Sequence, residues 1–196
     1  KIRLKPASFT GDGFWQRQQR WALGILLQGT SNMQDVVYAT ASALTALGTF
    51  RHVWTGTWEF VYDDNYNFID VLELSYERVR WYFTEAMVLG VYEPMAMTLK
   101  ALFVFCVGWD PRAFHILAYV IHGANAALAY VLGRSLLALL RPHTRSEAAP
   151  GIGPGCAIGA SMFACHPGAV QTVCWASCLP YLFAAFFALL SALSLL

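Results

Sequence analysis

The last quarter of the chain contains no residue with a permanent charge. Between Ala148 and Leu196 the sequence has no Asp, Glu, Lys or Arg. The whole chain is 57% hydrophobic and 13% charged, whereas a soluble domain has about 25% charged residues. This composition predicts an integral membrane protein. The chain ends within an apolar run, so we expect a fragment that lacks a C-terminal part.

Apolar segments long enough to cross a bilayer need about twenty residues. Four segments fit: 35–54, 113–132, 153–173 with an interruption at His166-Pro167, and 179–196. A fifth, from Pro94 to Gly108, is shorter and contains Lys100, which favours an interfacial or re-entrant helix. The sequence therefore predicts an all-α fold, a polytopic helical bundle with about four transmembrane helices.

Basic residues predict the orientation of these helices. By the positive-inside rule, segments rich in Lys and Arg face the cytosol. We therefore expect residues 1–34 and the connection after the second span to be cytosolic, and a transmembrane domain over 35–196. Loops 55–112 and 166–180 then face the lumen or periplasm, where they can meet and form one site. The basic residues are Lys1, Arg3, Lys5, Arg17 and Arg20, followed by Arg134, Arg141 and Arg145.

Loop 55–112 contains most of the acidic residues of the chain. Nine acidic residues between Trp58 and Arg112 face four basic ones. Ser75 precedes an aromatic amphipathic stretch and predicts an N-capped helix along the membrane surface. No basic stripe is present, so no nucleic-acid partner is expected. The five cysteines follow no zinc spacing. Cys174 and Cys178 are four residues apart, so a disulfide or a metal pair is an alternative there, but cysteines that simply pack as small hydrophobic residues are the preferred interpretation.

Several motifs occur in a characteristic order from about Trp54 to Leu196. The motifs are Tyr62-Asp63-Asp64-Asn65, Leu74-Ser75-Tyr76-Glu77-Arg78-Val79-Arg80-Trp81-Tyr82-Phe83, Tyr92-Glu93-Pro94-Met95, Gly108-Trp109-Asp110-Pro111-Arg112-Ala113-Phe114-His115, Ile121-His122-Gly123-Ala124-Asn125-Ala126-Ala127, Phe163-Ala164-Cys165-His166-Pro167 and Val173-Cys174-Trp175-Ala176-Ser177. In this order they resemble the transmembrane and tetratricopeptide-repeat-containing O-mannosyltransferases and their bacterial relatives, within the GT-C class of polytopic glycosyltransferases.

The resemblance implies a glycosyltransferase. Such enzymes move a sugar, typically mannose, from a dolichyl-phosphate or related polyprenyl-phosphate carrier to Ser and Thr hydroxyls of proteins. The implied compartment is the endoplasmic reticulum, with the site facing the lumen; a bacterial inner membrane is the alternative. The implied partners are the lipid-linked donor, an acceptor protein and membrane lipids. The residues do not decide whether a divalent metal is needed.

The resemblance also implies catalytic residues. Asp63 and Asp64 match the acidic motif of the first loop, and such a transfer needs a carboxylate that takes the acceptor proton. Adjacent residues of an extended segment point in opposite directions, so we expect one carboxylate to face the site and the other to hold the loop. Asp63 is the preferred base. A solvated turn is the alternative for the pair. Glu93 resembles a second site carboxylate; otherwise it is a solvated charge at a helix start.

Candidates for binding the donor phosphate are His166, Arg112, Lys100 and Arg78. Arg78 serves equally well as a headgroup anchor, and His166 equally well as a cap of a helix end. His115, His122 and Asn125 share one face of the second span, because they are seven and three residues apart. Such a polar face within a membrane is either functional or used for hydrogen bonds between helices.

One part of the resemblance is incomplete. Relatives usually carry charged residues after the tryptophan of the second loop, whereas this chain has the uncharged Ser177-Cys178-Leu179-Pro180-Tyr181. The alternative to an enzyme is therefore a non-catalytic membrane scaffold or binding protein of the same fold.

Overall fold

Helices make up the regular structure of the protein. The computed structural model describes residues 33–56, 59–60, 64, 66, 72–85, 90–140 and 151–196. Within these ranges the chain is all-helical, as predicted, and contains no strand. Residues 1–32 of the predicted cytosolic segment, and Asp63, lie outside them. The helices are α1 (Met33–Thr49), α2 (His52–Thr55), α3 (Tyr76–Thr84), α4 (Pro94–Val107), α5 (Pro111–Leu139), α6 (Ile152–Ala164), α7 (Ala169–Cys174), a 3₁₀ turn (Ala176–Cys178) and α8 (Leu179–Ser194).

Two segments of the described chain are long and apolar enough to cross a membrane. They are Pro111–Leu139 and Ala176–Ser194, which joins the 3₁₀ turn to α8. The prediction of four spans is not confirmed. Helix α1 has 17 residues and α6 has 13. The predicted third span ends early because α6 stops at Ala164, just before His166-Pro167, and Pro lacks the N–H that would continue a helix.

Helix α5 is the centre of the bundle. It packs against α1, α6 and α8, and α1 also packs against α6. The Tyr119 hydroxyl, early in α5, donates to the carbonyl of Leu47 near the end of α1, whereas Asp35 near the start of α1 contacts Tyr130 late in α5. The two helices are therefore antiparallel. Small residues from three helices, namely Ala46, Ala126 and Ala164, meet in a buried cluster that lets the helices approach closely.

Arg134 does not lie in a connecting loop, which corrects one basis of the predicted orientation. Helix α5 extends seven residues beyond the predicted end at Leu132, and Arg134 is part of it. Its Nε lies 3.3 Å from Oδ1 of Asp35 in α1. An ion pair of this kind lowers the cost of carrying a charge on a helix inside the bundle. Arg141 and Arg145 lie outside the described residues.

Local signals determine where α3 and α4 begin and end. The Ser75 hydroxyl accepts a hydrogen bond from the backbone N–H of Arg78, which confirms the predicted N-cap of α3. Pro94 opens α4, a position where its missing N–H is not needed. Gly108 ends α4 with a φ of 80°, a conformation that favours glycine.

The principal hydrophobic core joins loop 55–112 to the start of α5 and to the 166–180 segment. Tyr82 of α3, Met97 of α4, Phe114 of α5, and Val173 and Leu179 are all buried in this core. The acidic loop is therefore folded onto one end of α5 through apolar contacts.

Candidate functional site

Asp64 is a fully buried carboxylate of the predicted site. It has no solvent exposure. Its Oδ1 accepts hydrogen bonds from the Ser177 backbone N–H at 2.8 Å and from the Ser177 hydroxyl at 2.5 Å. Bonds to an ionised carboxylate are roughly twice as strong as neutral ones. Asp64 therefore fastens loop 55–112 to the 3₁₀ turn before α8. We call this contact the Asp64–Ser177 junction.

The junction sits at the start of α5. The His115 ring, one turn into that helix, is 6% exposed. It hydrogen-bonds to the backbone of Glu59 and interacts electrostatically with Asp64. The first-loop residues Glu59 and Asp64, the second-loop Ser177 and the α5 residue His115 are thus gathered at one end of the bundle. The expectation that loops 55–112 and 166–180 meet is borne out by this contact.

Asp64 itself is helical and not extended, which corrects the conformation expected for this residue. Asp64 and Tyr66 both have helical conformation. Residues two apart on a helix lie on nearly opposite faces, and accordingly Asp64 is buried whereas Tyr66 is 68% exposed.

Glu93 and Lys100 form an ion pair across the first two turns of α4. Lys100 Nζ lies 3.3 Å from Glu93 Oε1, and the exposed fractions of the two side chains are 1% and 20%. Lys side chains on helices reach back toward the N-terminus, which brings the ammonium over the Glu93 position. Lys100 is thus a buried cation whose partner carboxylate reaches solvent. Both residues were predicted as site residues, but their pairing was not.

The four predicted phosphate ligands lie on four different parts of the fold. Arg78 of α3 is 4.0 Å from the Glu73 carboxylate and stacks 5.3 Å above the Trp81 ring. Arg112 is exposed at the first turn of α5. His166 lies in the turn after α6, where its Nδ1 accepts a hydrogen bond from the backbone of Gly168. This bond makes His166 part of a turn that leads into α7.

His122 and Asn125 connect α5 to two other helices. His122 Nε2 lies 2.9 Å from the Ala164 carbonyl at the end of α6. Asn125 Nδ2 donates to the Leu182 carbonyl in α8 at 3.1 Å. Both side chains are buried. Both contacts are hydrogen bonds between helices, which was the alternative to a functional polar face in the sequence analysis.

Sequence reasoning missed two groups of residues. Ser177 was named as the end of one motif and the start of an uncharged segment, but nothing in its sequence context indicates that it binds a carboxylate 113 residues away. The second group joins α1 to α5: Asp35 Oδ1 accepts from the Tyr130 hydroxyl at 2.5 Å and faces Arg134. Opposite charges at neighbouring ends of two apolar segments were the available signal for this second group.

No group of three His, Cys, Asp or Glu side chains able to hold a metal ion occurs among the residues that the structure describes. Comparison of the chain with models of protein families, with curated proteins and with solved structures finds no match. The assignment to a family of glycosyltransferases therefore remains a proposal.

Proposed function

We propose that this chain is the membrane part of a GT-C type glycosyltransferase that moves a sugar, most simply mannose, from a polyprenyl-phosphate carrier to Ser or Thr hydroxyls of proteins. In this proposal α5 and α8 cross the membrane of the endoplasmic reticulum or, in a bacterium, the inner membrane. The Asp64–Ser177 junction then lies on the lumenal or periplasmic side.

The observation that supports this proposal best is the junction itself. An acidic loop could remain a solvated surface feature, but here one of its carboxylates is fully buried against Ser177 of the second loop. A protein that only needed surface charge would gain nothing from burying a carboxylate, because burial costs free energy unless hydrogen bonds offset it. The contact fixes the position of Asp64 relative to the second loop.

The two adjacent aspartates then have different roles. Asp64 positions the loop, because its Oδ1 already binds two donors. Asp63 is the general base that takes the proton of the acceptor hydroxyl. Glu93 is 20% exposed beside the buried Lys100 ammonium, so this pair supplies a second carboxylate and a nearby positive charge for the donor phosphate.

The test is a transfer assay with the full-length protein in detergent or nanodiscs. Radiolabelled dolichyl-phosphate mannose is the donor and a Ser/Thr-rich peptide is the acceptor. We expect Asp63→Asn to lower the rate by about 10²- to 10⁴-fold, the usual contribution of a general base, without loss of thermal stability. We expect Asp64→Asn to lower both the rate and the unfolding temperature, because it weakens the junction.

Glu77→Gln is the matched control, since Glu77 is an exposed carboxylate of the same loop. It should leave rate and stability unchanged. If wild-type protein of normal stability transfers no sugar from any polyprenyl-phosphate donor, or if Asp63→Asn retains full activity, the proposal is wrong.

The second candidate is a non-catalytic membrane scaffold of the same fold. The specific observation in its favour is that the segment Ser177–Tyr181 carries no charge and that its Ser177 binds Asp64 in a structural contact. For a scaffold, Asp63→Asn and Glu77→Gln would behave alike in every assay, whereas Asp64→Asn would still destabilise the protein.

A further inference from the structure

A cleft of about 590 Å³ opens between α5, α6, α7 and α8. Its volume falls within the range of about 300 to 1,000 Å³ that small-molecule sites occupy. Its walls are mostly apolar, and its polar lining residues are His122, Asn125, His166, Thr172 and Tyr181. We call it the Asn125 cleft. It lies deeper along α5 than the junction, because ten residues separate His115 from Asn125, a distance of about 15 Å on a helix.

Asn125 lines this cleft and carries a buried acceptor for which the described residues supply no partner. The residue has no solvent exposure, and its Oδ1 has no hydrogen-bond partner within the described part of the chain. The orientation of the amide is fixed because Nδ2 donates to the Leu182 carbonyl, which can only accept. An unsatisfied buried acceptor costs about 1 to 3 kcal/mol. A ligand that donates a hydrogen bond here would remove that cost.

His122 adds a second acceptor to the same cleft. Its Nε2 lies 2.9 Å from the Ala164 carbonyl and must therefore carry the ring proton. The other ring nitrogen, Nδ1, is then an acceptor. The inner part of the cleft thus favours a ligand that has a hydrogen-bond donor.

The ligand must also be neutral and largely apolar. No Asp, Glu, Lys or Arg is among the described residues that line the cleft, so no permanently charged side chain is there to pair with an ammonium or a phosphate. The apolar walls, which include Phe163 and Leu182, suit a hydrocarbon body.

We propose that the Asn125 cleft binds a neutral lipid alcohol, whose hydroxyl donates a hydrogen bond to Asn125 Oδ1 while its hydrocarbon body packs against Phe163, Leu182 and Ala185. The proposal requires α5 and α8 to lie in a membrane but does not depend on sugar transfer. A water molecule is the simplest competitor, but a buried water needs two to four polar partners, and the apolar walls of the cleft favour a ligand that brings its own apolar body.

The experiment uses the full-length protein in nanodiscs and a photoreactive, alkyne-bearing long-chain alcohol. Labelled peptides are identified by mass spectrometry, and we expect them to come from 122–126, 162–172 and 181–185. Unlabelled hexadecanol and hexadecyl methyl ether then compete with the probe. The ether cannot donate a hydrogen bond, so hexadecanol should compete at a concentration about two- to tenfold lower, which is the effect of one hydrogen bond.

Two variants test separately the hydrogen bond to Asn125 and the volume of the cleft. Asn125→Leu removes the acceptor at nearly constant volume, so the alcohol should lose its advantage over the ether. Ala185→Phe fills the cleft and should abolish labelling of the cleft peptides by the photoreactive probe. Val120→Leu is the control, because Val120 is 52% exposed on the same helix and should not affect labelling.

Three results would refute the proposal: equal competition by alcohol and ether in the wild type, labelling only outside the cleft, or absence of labelling in the full-length protein because water or another protein segment fills the cleft. If Asn125→Leu does not fold, the comparison of alcohol and ether on the wild type and the Ala185→Phe variant still decide the question.

Discussion

Replacement of Asp64 by alanine should open the junction between the two loops. The substitution removes the acceptor of two hydrogen bonds, from the backbone N–H and the hydroxyl of Ser177. A hydrogen bond to a charged group contributes about 1.5 to 3 kcal/mol. Since both bonds share one oxygen, we take about 3 kcal/mol as the loss for the pair. Asp64→Asn keeps a carbonyl acceptor without the charge, and we expect about half of that loss.

The neighbouring Cys178 provides a local reporter of this opening. Its side chain is 7% exposed, so alkylation requires the 3₁₀ turn to move away from the core. When opening and closing are fast, the alkylation rate follows the opening equilibrium. A loss of about 3 kcal/mol then raises the rate about a hundredfold, at about 1.4 kcal/mol for each factor of ten. Maleimide modification of the Cys178 peptide, followed by mass spectrometry in a Cys174→Ser background, measures this rate.

Two comparisons show whether the effect belongs to the junction. Ser177→Ala removes only the hydroxyl donor and should raise the alkylation rate of Cys178 by about tenfold. Glu77→Ala removes an exposed carboxylate of the same loop and should leave the rate unchanged. If Cys178 is alkylated no faster in Asp64→Ala than in Glu77→Ala, the hydrogen bonds at the junction do not hold the 3₁₀ turn in place. The structural role assigned to Asp64 is then incorrect.

Two further predictions concern loop 55–112. Glu93→Ala should destabilise the protein by about 3 kcal/mol or more, because it takes a carboxylate away from the buried Lys100 ammonium. Lys100→Met should destabilise it less, because the Glu93 carboxylate that loses its partner is partly solvated. Equal losses of stability in thermal unfolding of the two variants would contradict this prediction. Burial raises the pKa of Tyr82 above its ordinary value of 10.0. Its contribution to stability is therefore complete below that pH and disappears as the pH rises through the pKa of the folded state. The stability difference between wild type and Tyr82→Phe should accordingly be smaller at about pH 11 than at about pH 8, and a constant difference would show that folding does not shift the pKa of the phenol.

Local signals in the sequence predicted the ends of several helices. Helix α3 begins at Ser75, whose hydroxyl accepts a hydrogen bond from the backbone N–H of Arg78. Helix α4 begins at Pro94 and ends before Gly108. These signals act within one helical turn, so they are visible without knowledge of the fold. The end of α5 was predicted too early, because Arg134 looked like a loop residue until its partner Asp35 was known.

The contacts of the site were less predictable than its residue types. Periodicity placed His122 and Asn125 on one face of α5, but their partners are the main-chain carbonyls of Ala164 and Leu182. Every residue has a carbonyl, so no side-chain pattern indicates which one a buried donor will find. The same holds for Asp64, whose partner Ser177 is uncharged and distant in sequence. Sequence patterns predict which residues are buried and polar, whereas the packing of helices decides what they bind.

Helix α5 is fastened at both ends, and this restricts where catalysis can occur. At one end the network of Asp35, Tyr130 and Arg134 ties it to α1. At the other end His115 lies beside the Asp64–Ser177 junction. A carboxylate that binds two protein donors in a fully buried position is held away from an acceptor hydroxyl by those same bonds. If the protein is a transferase, proton removal therefore falls to another carboxylate, and Asp63 is the one proposed above. Substitution of Asp63 should reduce turnover at unchanged stability, whereas substitution of Asp64 or Glu93 should reduce both turnover and stability.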